Sequence, residues 1–426
     1  MHWLTAAFLA ALVLTTGVRL WLANRQVAHV AAHRESVPPP FADAITPEAH
    51  RRAADYTVAK TRLGMVDVVI GVALLLAFTL GGGLQALSEL WGKAFAVGGY
   101  SHGVALIASI GVFGALAELP VSLYRTFVIE QRFGFNRMTL GLFLADLAKQ
   151  ALLAAVLGVP LLLLVLWLMG RMGSLWWLYV WLAWSAFNLL MLAIFPTFIA
   201  PLFNKFSPLE DTSLKSRIER LLARCGFRSS GLFVMDGSRR SSHGNAYFTG
   251  FGKTKRIVFF DTLLSRLQPP EIEAVLAHEL GHFRRRHVWK RVALMFAVSL
   301  GLLAVLGWLI DKSWFYSALG VETRSTAMAL VLFFLVVPVF TFLFSPLGSI
   351  YSRKHEYEAD AYAAEHASGA DLAHALVKLY KDNAATLTPD PLHSAFYDSH
   401  PPASLRVARL QALGGHAAGT PAGAAA

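Results

Sequence analysis

The chain has almost no cysteine and little charge. Its single Cys225 excludes an internal disulfide framework and a cysteine-built zinc site. Only 15% of the 426 residues are Asp, Glu, Lys or Arg, against about 25% in ordinary soluble domains. Acidic residues are the scarcer kind: 27 against 38 Lys and Arg, a formal net charge of +11. No nucleic-acid module and no internal repeat accompanies that surplus. It reads as cytoplasmic loops and contact with anionic lipid, not as nucleic-acid binding. What fills the chain is apolar, at 55% hydrophobic residues and a mean hydropathy of +0.50. This is the composition of a membrane protein.

Apolar stretches long enough to span a bilayer, which takes about 17–25 residues, run over residues 3–23, 66–87, 102–123, 150–170, 175–196, 292–310 and 327–347. Glu118 and Pro120 interrupt the end of the third. Nothing basic precedes the first, and no clear small-residue cleavage site follows it. It therefore reads as an uncleaved anchor, not a signal peptide. Arg19 and Arg25 behind its core suit an N-terminus outside. Loops one, three and five and the segment after the seventh stretch carry most of the Lys and Arg. The loop charges thus predict that these segments and the C-terminus are cytoplasmic.

This gives a mostly α-helical, multispan membrane protein. Residues 1–199 hold the first five transmembrane helices and their loops, and residues 200–291 form a cytoplasmic domain. Residues 292–347 hold helices six and seven, and residues 348–413 are a helical continuation of the domain. Residues 414–426 form an Ala/Gly-rich tail expected to be disordered. Within the domain, residues 207–226 predict an amphipathic helix with Leu214, Ile218, Leu221 and Leu222 on one face. Residues 231–235 and 256–260 predict short strands.

One stretch of this domain carries chemistry. In Glu271-Ile272-Glu273-Ala274-Val275-Leu276-Ala277-His278-Glu279-Leu280-Gly281-His282, the two histidines lie four apart, on one face of a helix. Two neutral imidazoles at that spacing can share one zinc ion. Glu279, about 100° further round the helix, can reach a water beside that ion and take its proton. This is the H-E-x-x-H pattern of zinc peptidases. Pro269 and Pro270 suit the helix start, and the small and apolar flanks suit a buried helix. Without those flanks the pattern would read as two solvated histidines.

Such a site needs a third protein ligand and an open fourth position. A third histidine six residues after His282 is excluded, because that position is Val288. His287 falls one residue short, and beside Arg284, Arg285 and Arg286 it reads as a solvated or interfacial histidine. The remaining candidate is Glu356-Tyr357-Glu358-Ala359-Asp360, after the seventh stretch. Glu356 and Asp360 share a helix face. Glu356 would bind the metal, and Asp360 would accept a hydrogen bond from a ligand imidazole and fix its tautomer. Taken alone, this cluster would read as a charged, solvated helix face. Together these features predict a gluzincin-type zinc protease domain with one Zn2+ per chain.

The chain resembles the type I CAAX prenyl protease family of seven-span membrane zinc endopeptidases. The resemblance rests on Ala277-His278-Glu279-Leu280-Gly281-His282, on Ser352-Arg353-Lys354-His355-Glu356-Tyr357-Glu358-Ala359-Asp360-Ala361 and on Asn245-Ala246-Tyr247. Tyr56-Thr57-Val58-Ala59-Lys60-Thr61-Arg62, Tyr124-Arg125-Thr126-Phe127-Val128-Ile129-Glu130 and Ser399-His400-Pro401-Pro402 extend it over nearly the whole chain. It implies that His278, His282 and Glu356 are zinc ligands and Glu279 the general base. It implies that Asn245, Ala246 and Tyr247 belong to an edge strand that pairs with an extended substrate. His400 would stabilise the tetrahedral oxyanion, with Arg406 as its partner at the substrate. It further implies spans ringed around a water-filled chamber, which would accommodate Asn188 and Glu118.

The Ala- and Arg-rich composition looks bacterial, which places the protein in an inner membrane; a eukaryotic member would sit in the endoplasmic reticulum. The expected partners are a lipid bilayer and a peptide or protein substrate, prenylated in the family's usual case. Two alternatives stand beside this: a membrane-protein quality-control zinc protease that needs no prenyl group, and a non-enzymatic multispan transporter or receptor. An intramembrane protease with its H-E-x-x-H inside a span is disfavoured, because three arginines follow the motif directly.

Overall fold

A computed structural model describes residues 2–249 and 255–418. Seven of its helices are long and apolar enough to cross a membrane: Trp3–Ala32, Pro47–Phe78, Tyr100–Glu130, Leu140–Arg171, Gly173–Phe203, His287–Leu309 and Thr326–His366. Most reach well past the apolar stretches that announce them. The second begins at a Thr46 cap with Pro47 in its first turn, and runs through polar residues before it becomes apolar. The seventh passes Pro338 and a tight turn at Phe342–Phe344 and continues as Ser345–His366. The helix that carries Glu356 is therefore a continuation of a membrane span.

The second span corrects the sequence reading. It stops at Phe78, and a separate helix, Gly83–Gly92, occupies the rest of the expected stretch. The break falls at Gly81-Gly82-Gly83, where Gly82 takes a left-handed φ of 77°, a conformation open to glycine and costly to other residues. Apolarity persists across the break, so hydropathy alone passes over it.

Four strands form one small sheet in the order β1-β2-β4-β3. They are β1 (Phe206–Pro208), β2 (Ser229–Met235), β3 (Ala246–Thr249) and β4 (Lys255–Phe260). β2 and β4 are parallel, while β1 on β2 and β3 on β4 are antiparallel. β3 is thus an edge strand. β1 falls where the sequence predicted the start of the amphipathic helix. Pro208 cannot donate to a helix or a central ladder and suits a short edge. The helix itself is Thr212–Arg224, capped by Asp211, with Leu214, Ile218, Leu221 and Leu222 buried as expected.

Those side chains join β2, β4 and the helix Pro269–Arg284 in one core; Ile218, Leu221, Ala274, Ala277 and Leu280 are fully buried there. Each fully buried large aliphatic side chain is worth about 1.5–3 kcal/mol. The final helix, Ala403–Ala418, extends five residues into the stretch expected to be disordered; the rest of that tail, residues 419–426, lies outside the described residues.

The basic loops and the domain gather at one end of the spans. Arg25 pairs with Asp390 at 2.9 Å. Arg240 grips Asp146 with two hydrogen bonds of 2.8 and 3.0 Å. Tyr56 donates to Glu130 at 2.5 Å, and the other oxygen of Glu130 lies 3.7 Å from His243. At the opposite end Thr5 donates to the Ala318 carbonyl, and Gln85 accepts from the backbone of Glu322 and Thr323.

Candidate active site

The helix Pro269–Arg284 starts with a capping box. Gln268 caps the Glu271 amide, and the Glu271 carboxylate accepts from the Gln268 amide at 2.7 Å. Lys378 anchors Glu271 at 2.7 Å, and Arg217 and Arg224 both pair with Glu273. The helix is thus fixed at its polar end before the core fixes its apolar face.

Ser345–His366 packs directly against it. The closest approach is at Gly281, where a Cβ would stand 2.9 Å from the Ala359 Cα and 3.0 Å from the Tyr362 Cβ. Any side chain there would push the two helices apart. This contact brings Glu356 onto the two histidines.

His278 Nε2 and His282 Nε2 lie 3.2 Å apart. The Glu356 oxygens lie 3.5 Å from the first and 3.4 Å from the second. One ligand atom from each of the three residues falls within 4.8 Å of the others. Oε2 of Glu356 is buried without a hydrogen-bond partner, which is costly unless something else satisfies it. Two nitrogens bound at about 2.0–2.1 Å around a tetrahedral ion stand about 3.3 Å apart, so the observed spacing fits a metal. Electrostatics agree. Burial disfavours a charged His278, yet the Asp360 and Glu356 carboxylates outweigh it and push this imidazole up to about 9. The cluster calls for a cation, as a proton or as a metal ion.

Each imidazole is held from behind. His278 Nδ1 lies 2.8 Å from Asp360, and Arg406 clamps both oxygens of Asp360 at 2.9 and 2.6 Å. Arg406 was expected at the substrate; it is instead 4% exposed and sits behind the ligands. The planar guanidinium matches the carboxylate with two parallel hydrogen bonds, and that pairing draws it inward.

Glu279 makes no hydrogen bond or ion pair among the described residues. Burial raises its carboxyl above the ordinary range. His400 lies on the open side, 61% exposed, with Nε2 at 3.5 Å from Glu356. The Ser399 hydroxyl lies 3.0 Å from His400 Nδ1.

Asn245 precedes β3, and its carbonyl accepts from the Phe260 amide at 3.0 Å. Ala246 and Tyr247 open β3. Tyr247 and Phe248 line a cavity of about 1040 Å³ together with His282, Val288, Asn188 and residues of the fifth and sixth spans. His282 of the cluster and the edge strand therefore border one space, which is also lined by Asn188. Glu118 is not among its lining residues and pairs with Arg125 at 3.6 Å.

His287 departs from its expectation. It is 1% exposed, not solvated. Arg286 ends the preceding helix with a left-handed φ of 55° and turns the chain so that His287 points inward. Arginine has no preference for that conformation, so the sequence carries no signal of it. Tyr56 and Glu130 stand in the sequence only inside matched motifs, and His243 in none of them. They tie the second and third spans to the approach to β3, and His243 stacks on Phe135 at 4.5 Å.

Comparison with known proteins agrees with this arrangement. Residues 26–205 match the family model of the CAAX prenyl protease N-terminal region with five membrane helices, and residues 208–413 match peptidase family M48. A rice CAAX prenyl protease 1 homolog is 34% identical over 90% of this chain and 92% of its own. The human CAAX prenyl protease 1 homolog is 32% identical over 95% of each. The crystal structure of S. mikatae Ste24p superposes with a TM-score of 0.87 at 31% identity, covering 96% of this chain and 99% of that one. Sequence, spans and site geometry lead to one assignment: the chain belongs to the CAAX prenyl protease family of M48 peptidases and is an integral membrane metalloendopeptidase.

Proposed function

We propose that this chain is a zinc endopeptidase that cuts extended peptides, prenylated CAAX C-termini among them, on the cytoplasmic face of the membrane. The observation that carries this reading is the convergence of His278, His282 and Glu356 on one point, with a buried Glu356 oxygen that makes no hydrogen bond and with His282 at the edge of a large cavity. Two imidazoles and one carboxylate are a catalytic zinc donor set, with the fourth position left for the reaction.

His278, His282 and Glu356 would hold a zinc ion, which would supply Lewis-acid polarisation of the scissile carbonyl and a lowered pKa for the attacking water. Glu279 takes the proton of the attacking water and delivers it to the leaving amine. Its lack of any other partner supports that role. The Ser399 hydroxyl lies at hydrogen-bond distance from His400 Nδ1, and with Ser399 as the donor the His400 proton sits on Nε2, ready for the developing oxyanion. Asp360, clamped by Arg406, holds His278 in the tautomer that presents Nε2. The free side of β3 offers main-chain pairing to an extended substrate, starting at Asn245 and Ala246, with Tyr247 at the cavity. The names of the relatives support a prenylated substrate. The gathering of the basic loops around the domain supports the cytoplasmic side.

The test uses purified wild type and Glu279→Gln with a farnesylated CAAX peptide and its unprenylated twin, read by mass spectrometry. Cleavage by wild type alone, faster with the prenyl group, is the expected result. Equal rates on the two peptides would replace the prenyl requirement with a general membrane-protein quality-control role. Wild-type rates from Glu279→Gln would overturn the mechanism.

A further inference from the structure

The two metal-facing imidazoles are backed differently. Behind His278 stands a carboxylate held by a guanidinium. Behind His282 stands a second imidazole: His282 Nδ1 and His287 Nδ1 are 2.9 Å apart. His287 Nε2 in turn lies 2.9 Å from an oxygen of Glu358. The His355 ring stacks flat on His287, with centroids 3.9 Å apart and planes 10° from parallel. The direction of the protons follows from the site. For His282 to present a bare Nε2, its proton must sit on Nδ1, where it is donated to His287 Nδ1. His287 then carries its own proton on Nε2 and donates it to Glu358. Every donor meets an acceptor in only this arrangement.

We propose that His287 and Glu358 are positioning residues for His282. The relay fixes the tautomer and ring plane of His282, and the Glu358 carboxylate, acting through His287, makes Nε2 a better donor to the metal. This rests on the reading of His278, His282 and Glu356 as the ligands. Partners of this kind behind a metal-binding histidine are commonly worth about 10–100-fold in metal affinity or activity.

The experiment measures zinc affinity by competition with a chelating dye, on full-length protein in detergent, together with thermal unfolding of the metal-free protein. The variants are His287→Ala, Glu358→Ala, Glu358→Gln and, as reference, His282→Ala. Glu358 is partly exposed, so its variants test the relay even where His287→Ala fails to fold. Glu358→Ala is expected to weaken zinc binding about tenfold and His287→Ala by up to about 100-fold. Glu358→Gln keeps an acceptor for His287 without the charge and should recover only the part of the loss that belongs to the His282 tautomer. Metal-free unfolding of the Glu358 variants should stay near wild type. Zinc affinity within twofold of wild type in both alanine variants would overturn the relay, provided that His282→Ala loses the metal. Tight zinc binding by His282→Ala would instead refute the ligand assignment itself.

Discussion

The motif helix Pro269–Arg284 and the sixth span His287–Leu309 are neighbours in sequence, yet they meet opposite surroundings. The first buries ten residues, Glu271 through His278 with Leu280 and Gly281. The second, although longer and more apolar, buries only His287, Leu303 and Leu306. Most apolar side chains of the span are not buried within the protein, although Leu303 and Leu306 join the core of the spans and Gly307 abuts Trp177. Those of the motif helix touch fixed neighbours, and at Gly281 the fit leaves no room for a methyl group. Composition accounts for most of the span's surface, while the site depends on individual residues.

Substitutions can break or sharpen that contrast. The largest effect should come from Glu279→Gln. With its metal still bound, turnover of a cleaved peptide should fall by about 10²–10⁴, read by steady-state assay alongside metal analysis. Arg406→Ala comes next. It leaves Asp360 buried without its counter-charge, and removing one partner of a buried pair costs about 3–5 kcal/mol. Chemical denaturation should register this loss, and His278 should lose alignment and metal affinity with it. Gly281→Ala forces the two helices apart and should cost about 1–3 kcal/mol, with reduced metal content as the sign that Glu356 has moved. The smallest effect belongs to the membrane. Leu164→Ala, on an exposed stretch of the fourth span, should change the melting temperature by the equivalent of less than about 0.5 kcal/mol. An effect there as large as that of Gly281→Ala would erase the contrast.

How much was legible in the sequence follows the same division. His278, Glu279 and His282 could be read because an i, i+4 pair around a carboxylate has a fixed geometric meaning on any helix. Glu356 and Asp360 could be read because they repeat that spacing on a second helix. Spans could be counted from apolarity, but the end of the second could not, because its break at Gly82 lies in a run that stays apolar on both sides. The inward turn of His287 depends on a left-handed arginine, which has no signature in composition or period. The burial of Arg406 depends on the position of Asp360 in three dimensions, which no local pattern around Arg406 contains.

The seventh span reaches the site without a loop. Thr326–His366 runs from the membrane to the carboxylate past Pro338 and the tight turn Phe342–Phe344, and its last part, Ser345–His366, is one unbroken α-helix. Glu356 therefore stands roughly 13 Å along the helix beyond Leu347, at about 1.5 Å per residue. A continuous helix is stiff along its axis, so this offset works as a depth gauge. Under the proposed function, a substrate held in the bilayer by a lipid tail would meet the metal site at one height only. The number of residues between its anchor and its cut bond would then be set by a length of helix, and not by which side chains it carries.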